Sequence, residues 1–221
     1  MKSITTVLFD LDGTLLDTAP DLAYALNSVL EKNHRSPLPY ESIRPVASHG
    51  TKGLLQLGFD IDDTHADFPK LRDQFLAVYQ QHICVKTKPF PQIDNLLSFI
   101  ENKNLRWGIV TNKPAWLTEP LLKQLNLFDR AACIVSGDTI EKRKPNPEPM
   151  WHACALLNCK AEQCVYIGDA ERDIEAGERA GMHTLIAMYG YIAATDTPQT
   201  WGADALINNP LEIIDWLKQY D

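Results

Sequence analysis

Thr5-Thr6-Val7-Leu8-Phe9-Asp10-Leu11-Asp12-Gly13-Thr14 is the stretch that decides the fold. A β-branched and apolar run closes on Asp-Gly, a turn signal, which predicts a short buried strand delivering Asp10 and Asp12 to a loop. Turn chemistry explains Asp12-Gly13. It does not explain Asp10, an acid set at the very end of an apolar run.

Runs of the same kind recur at residues 105–111, 132–136, 164–167, 183–187 and 205–207. Helical patterns lie between them. Ile93, Leu96, Leu97 and Ile100 follow i, i+3, i+4, i+7 spacing, and Leu121, Leu122 and Leu125 mark the next helix. Pro147 is expected in the first turn of a helix running to Leu157. Asn209-Pro210 is expected as N-cap and first residue of a last helix through Ile213, Ile214 and Leu217. Strand and helix alternate, so the expected core is a doubly wound, Rossmann-like α/β fold with a parallel sheet.

One stretch breaks the alternation. From about residue 17 to 85 the pattern is helical, with one apolar face at Leu22, Leu26, Val29 and Leu30 and another at Leu71, Phe75, Val78 and Tyr79. Some seventy residues are too many for an ordinary connection. An inserted α-helical domain over 17–85 is therefore expected, with linkers at 17–21 and 86–91. Residues 1–16 and 86–221 make the α/β core.

The chain has 221 residues, 45% hydrophobic and 9% aromatic, enough for a sizeable core. A net charge of −8 argues against a nucleic-acid partner. No apolar run reaches the ~18 residues of a membrane span. Residues 1–6 lack a basic region followed by a long apolar one, so no signal peptide and a cytoplasmic location are expected. The five cysteines include no CxxC pair, and Cys154, Cys159 and Cys164 fall five apart, which is not a zinc spacing. They are expected to be reduced thiols packed in the interior. His34, His49, His65 and His82 share no metal-ligand spacing and are expected at the surface or in packing.

Three further motifs follow strands or sit in loops at the same expected edge of the sheet. Thr111-Asn112-Lys113 offers a hydroxyl and loop N–H groups, donors that suit phosphate oxygens. In Arg143-Lys144-Pro145-Asn146-Pro147 the prolines keep the segment non-helical and present a lysine rigidly. Lys142 and Arg143 are rival cations there. In Gly168-Asp169-Ala170-Glu171-Arg172-Asp173, Gly168 allows a sharp exit from a strand and Asp173 follows Asp169 by one helical turn. Open α/β sheets bind ligands at this edge.

In this order the four motifs resemble those of the haloacid dehalogenase-like phosphatase superfamily, over the whole chain and including a helical cap inserted after the first. Tyr189-Gly190-Tyr191 and Gly202-Ala203-Asp204 resemble the phosphoglycolate phosphatase-like branch. Residues 107–114, Glu119-Pro120, 189–192 and 201–204 resemble the N-acetylmuramic acid 6-phosphate phosphatases within it. Where many relatives carry a second acid after Asp169, this chain has Ala170, which gives Asp173 more weight.

The resemblance implies a phosphatase in which Asp10 attacks phosphorus and Asp12 serves as acid and then base. It implies Mg2+ held by Asp10, the backbone carbonyl of Asp12 and Asp169, with Asp173 acting through a water or holding Lys144. Thr111, Asn112 and Lys144 are the implied phosphate-binding residues. His49-Gly50-Thr51-Lys52 is the candidate cap loop, with Lys52 meeting a substrate carboxylate. The implied substrate is a small phosphorylated acid or sugar, 2-phosphoglycolate and N-acetylmuramic acid 6-phosphate being the candidates. A sugar-phosphate mutase shares the motifs, and a phospho-acceptor receiver domain shares the aspartate, hydroxyl and lysine. The large insert and Asp12 speak against the receiver. The sequence leaves oligomeric state open.

Overall fold

The structure, a computed structural model, describes residues 3–220. Met1, Lys2 and Asp221, at the ends of the expected core segments, lie outside the described residues. All six expected strands are present: β1 (Thr6–Phe9), β4 (Arg106–Val110), β5 (Cys133–Val135), β6 (Cys164–Gly168), β7 (His183–Ala187) and β8 (Ala205–Ile207). They form one sheet in the order β5-β4-β1-β6-β7-β8, and every pairing is parallel. β1 lies inside the sheet, with Phe9 in register with Ile109 on one side and Ile167 on the other. The chain winds outward from β1 in both directions, so a crevice opens beside its C-terminal end.

Side chains alternate across the sheet and build two cores. Val7, Phe9, Ile109, Val165 and Ile167 pack with α5 (Ile93–Asn102), α6 (Ala115–Gln124) and α9 (Leu211–Leu217). Leu8, Val110, Val135 and Tyr166 pack on the other face with α7 (Glu148–Leu157) and α8 (Glu171–Ala180). The last helix starts one residue later than expected. Pro210 caps it, while Asn209 Oδ1 accepts from the Leu211 N–H at 3.1 Å. Likewise Pro147 precedes α7 as its cap rather than standing inside its first turn.

Residues 19–81 carry α1 (Ala19–Lys32), α2 (Tyr40–Ile43), a 3-10 turn at Arg44–His49, α3 (Gly50–Phe59) and α4 (Phe68–Gln81). Their apolar faces, Leu26 and Leu30 with Leu54, Leu71 and Phe75 among them, are buried. The sequence pattern gave no sign of how this segment joins the sheet. Two short strands, β2 (Leu16–Asp17) and β3 (Lys88–Pro89), pair antiparallel across the junction. Beside them the buried Asp21 carboxylate accepts from the N–H groups of Val85, Lys86 and Thr87 and from the Thr87 hydroxyl, at 2.8–3.1 Å. Four donors on one buried carboxylate tie both linkers together.

Candidate active site

Three of the motifs enter the crevice from the ends of β1, β4 and β6, and the Lys144 motif enters from the loop between β5 and α7. The Asp10 N–H donates to Ile167 O at 2.8 Å, extending the β1–β6 ladder by one step and fixing where the acid emerges. The Thr111 N–H does the same to Val135 O at 2.9 Å. Gly13 turns at φ +89°, and a Cβ there would lie 2.1 Å from Asp169 Oδ2, so only glycine lets the loop close on the acid. At Gly168 a Cβ would lie 2.3 Å from that of Asp173, which explains glycine at the strand exit.

Lys144 is the centre of the site. Its ammonium is buried and lies 2.7 Å from Asp10 Oδ1, Asp173 Oδ1 and the Tyr166 hydroxyl oxygen. Tyr166 in turn donates to Val110 O at 2.7 Å, so its oxygen is turned to accept from the lysine. Asn112 holds the lysine's backbone from both sides. Its Nδ2 donates to Lys144 O at 3.0 Å, and its Oδ1 accepts from Lys144 N–H at 3.1 Å. The Asn112 side-chain amide is thus engaged by the lysine loop, while the residue itself lines the cavity. Thr111 is different. Its Oγ1 accepts from the Lys113 N–H at 3.1 Å and keeps its own proton to give.

The acids outnumber the cations that touch them. Burial raises the Asp10 carboxyl above the ordinary range; Lys144 opposes this and Asp173 adds to it. Burial, with Asp10 and Asp173, pushes Asp169 up to about 7. Asp169 is held by neutral donors: Ser48 Oγ at 2.6 Å, the Tyr191 N–H at 2.9 Å and Thr14 Oγ1 at 3.3 Å. Carboxylate oxygens of Asp10, Asp169 and Asp173 lie within 4.8 Å of one another. Three buried acids with this deficit of positive charge fit a hard divalent cation that binds oxygen.

Asp12 belongs to a second network. Its Oδ1 accepts from Thr18 Oγ1 at 2.6 Å and from Lys113 Nζ at 2.9 Å. Lys113 also donates to the Tyr79 hydroxyl of α4 at 2.8 Å. Burial works against the charged lysine, but Asp12 and Tyr79 outweigh it and leave its pKa raised. Burial pushes the Tyr79 phenol up to about 12.

A cavity of about 460 Å³ lies over these networks. Asp10, Asp12, Thr111, Asn112 and Lys113 form its floor, and His49, Gly50, Thr51 and Lys52 line it from the helical segment. Lys144, Gly168, Asp169 and Asp173 are not among its lining residues, though the Lys144 ammonium reaches Asp10, which is one of them. Lys52 meets a carboxylate, but one of this chain: its ammonium lies 2.9–3.0 Å from the two oxygens of Asp63. Burial and the Arg172 charge lower the His49 pKa.

Several residues at the site escaped the sequence reading. Tyr166 sits mid-strand in an apolar run. Ser48, from the helical segment, reaches Asp169, and the Arg172 guanidinium donates to Ser48 O at 2.6 Å. Arg172 lies between the acids of the fourth motif, the one signal that pointed to it. Lys113 stood inside a quoted motif without a role.

The fold and this site define a class. The sequence pattern of haloacid dehalogenase-like hydrolases matches residues 7–187, and the chain belongs to that family. It is 38% identical over 216 residues to an N-acetylmuramic acid 6-phosphate phosphatase of Pseudomonas aeruginosa, covering 98% of this chain and 96% of that one. It is 40% identical over 205 residues to a phosphoglycolate phosphatase of Xylella fastidiosa, covering 93% and 89%. The crystal structure of a predicted phosphoglycolate phosphatase from Haemophilus somnus superposes with a TM-score of 0.86, at 24% identity and over 98% and 99% of the two chains.

Proposed function

We propose that this phosphatase is magnesium-dependent and hydrolyses a small phosphorylated sugar acid through an aspartyl-phosphate on Asp10. The observation that carries the reading is Asp10, buried beside Lys144, facing the same cavity as Asp12 on an independent lysine. An Asp10 oxygen attacks phosphorus, and the bond from phosphorus to the ester oxygen breaks. Asp12 gives its proton to the departing alkoxide. Asp12 then takes a proton from water, the hydroxide attacks phosphorus, and the Asp10–phosphorus bond breaks. Lys144 and Thr111 donate to the phosphoryl oxygens as charge shifts onto them.

Asp10, Asp169 and the backbone carbonyl of Asp12 are the residues to hold Mg2+, which when bound neutralises charge on the acids and the phosphoryl group. Asp173 orients Lys144. The segment over 17–85 acts as a cap that selects substrate and excludes water. Its contacts across to the core, Ser48 to Asp169 and Tyr79 to Lys113, support that role.

The cavity favours the larger of the two candidate substrates. Leu22, Phe68, Phe75 and Leu76 give it an apolar wall, which an N-acetylated sugar can use and a two-carbon acid cannot. A cytoplasmic location is supported by five cysteines that are all free. Among the described residues no helix is long and apolar enough to cross a membrane.

Steady-state kinetics test the reading. N-acetylmuramic acid 6-phosphate should exceed 2-phosphoglycolate in kcat/KM by roughly tenfold or more, the scale of a few apolar contacts. A preference for 2-phosphoglycolate overturns the substrate assignment. Asp10→Asn should abolish phosphate release, and near-normal turnover in that variant overturns the mechanism.

A further inference from the structure

We propose that Cys154, Cys159 and Cys164 form a three-thiolate site for one soft d10 metal ion, Cu(I), at the edge of the sheet opposite the active site.

The spacing of five residues gives no hint of this, and the fold produces it. α7 carries Cys154 in its last turn. Asn158 then takes the left-handed conformation at φ 47°, and the Cys159 N–H donates back to Cys154 O at 3.1 Å. This reversal lays Cys159 over Cys154. A single 3-10 turn at Ala161–Gln163 then returns the chain to Cys164, the first residue of β6. The sulfurs of Cys159 and Cys164 are 3.4 Å apart, those of Cys154 and Cys164 are 3.9 Å apart, and all three fall within 4.8 Å of one another.

Those separations match a metal site. Three sulfurs about 2.3 Å from a shared ion and arranged trigonally stand about 4 Å from each other. Thiolates select soft ions, and Cu(I) accepts three-coordination. Zinc prefers a fourth ligand, and among the described residues only three acid, imidazole or thiol groups here have ligand atoms within 4.8 Å of one another, the neighbouring buried Cys133 thiol falling outside that set. Cys154 and Cys164 are buried, while Cys159 is half-buried and gives the ion a way in. Binding exchanges up to three thiol protons for one Cu(I), with no change of oxidation state.

Anaerobic titration of the full chain with Cu(I), against a competing Cu(I) chelator, tests the assignment. One equivalent should be retained, with a thiolate-to-metal charge-transfer band in the ultraviolet and protection of the half-buried Cys159 from a thiol reagent. Cys159→Ser, at the half-buried position, should weaken retention at least about tenfold. Cys159→Ser with Cys164→Ala should remove it, and Cys84→Ser should not change it. Far-ultraviolet circular dichroism and a cooperative thermal unfolding transition check that each variant is folded. Failure to retain Cu(I), or equal retention by the folded double variant, overturns the site. Because the readout is metal retention, the outcome is independent of whether the phosphatase reading holds.

Discussion

Asp169→Asn probes the electrostatics of the acidic cluster while leaving its shape in place. Burial and the neighbouring Asp10 and Asp173 hold the Asp169 carboxyl up to about 7, against 3.8 for an unstructured chain. Between those two values the folded protein keeps a proton that the unfolded chain has released. Stability therefore falls as pH rises from about 4 to about 7 and stays low above that. At ~1.4 kcal/mol per pH unit, the buried charge costs the metal-free fold roughly 4 kcal/mol at pH 8. In the variant the amide oxygen can still accept from Ser48 and Tyr191, and the amide NH2 can donate to Thr14 Oγ1. Rearranging that last bond costs about 1 kcal/mol. The variant should then be about 3 kcal/mol more stable than the parent in chelator at pH 8, or about 6–12 °C in Tm for a chain of this size. The gain should shrink through pH 7 and vanish near pH 4. Thermal unfolding in excess chelator at pH 8, 6 and 4 measures it. A variant no more stable at pH 8, or one with the same gain at pH 4, refutes the reasoning.

Two further substitutions address positioning and selection. Asn112→Ala removes both hydrogen bonds on the Lys144 backbone and should lower kcat by roughly 10–100-fold at nearly constant KM, because a loosened lysine is felt in the transition state; a pure rise in KM would contradict this. Lys52→Ala breaks an exposed pair with Asp63 and should change unfolding free energy by less than about 1 kcal/mol. It should reduce kcat/KM several-fold more for a carboxylate-bearing substrate than for para-nitrophenyl phosphate, and equal losses on the two would remove Lys52 from substrate selection.

The legible parts of this protein are those written in local pattern. Six apolar runs became six parallel strands because each is bounded by turn residues and separated by helical periodicity. Asp10, Thr111 and Asp169 stood out because a polar residue at the end of a buried strand has few other reasons to be there. The β2–β3 ribbon was illegible, since two residues per strand carry no periodicity. Tyr166 was hidden by its own strand, where a tyrosine reads as packing. The role of the Asn112 side chain in holding the Lys144 loop was hidden, because its partners are 32 residues away. Ser48 lies 121 residues from the Asp169 it touches. The thiol cluster depends on one left-handed residue, Asn158, whose effect on three side chains no spacing rule records.

The two lysines divide the site's electrostatics in a way that suits the proposed chemistry. Lys144 contacts Asp10 and Asp173, and Lys113 contacts Asp12, so the proposed nucleophile and the proposed acid–base residue do not share a counter-ion. Were one lysine to serve both, a proton arriving on Asp12 would shift that cation toward Asp10 and weaken the nucleophile as it attacked. Separate lysines let Asp12 gain and lose its proton while the charge beside Asp10 stays fixed. The division also sets where the helical segment can act. Tyr79 of α4 contacts Lys113, and Ser48 contacts Asp169, whereas the Lys144 network is made of core residues alone. Cap movement on this reading tunes proton transfer and the Asp169 ligand, and leaves the orientation of Asp10 to the rigid sheet.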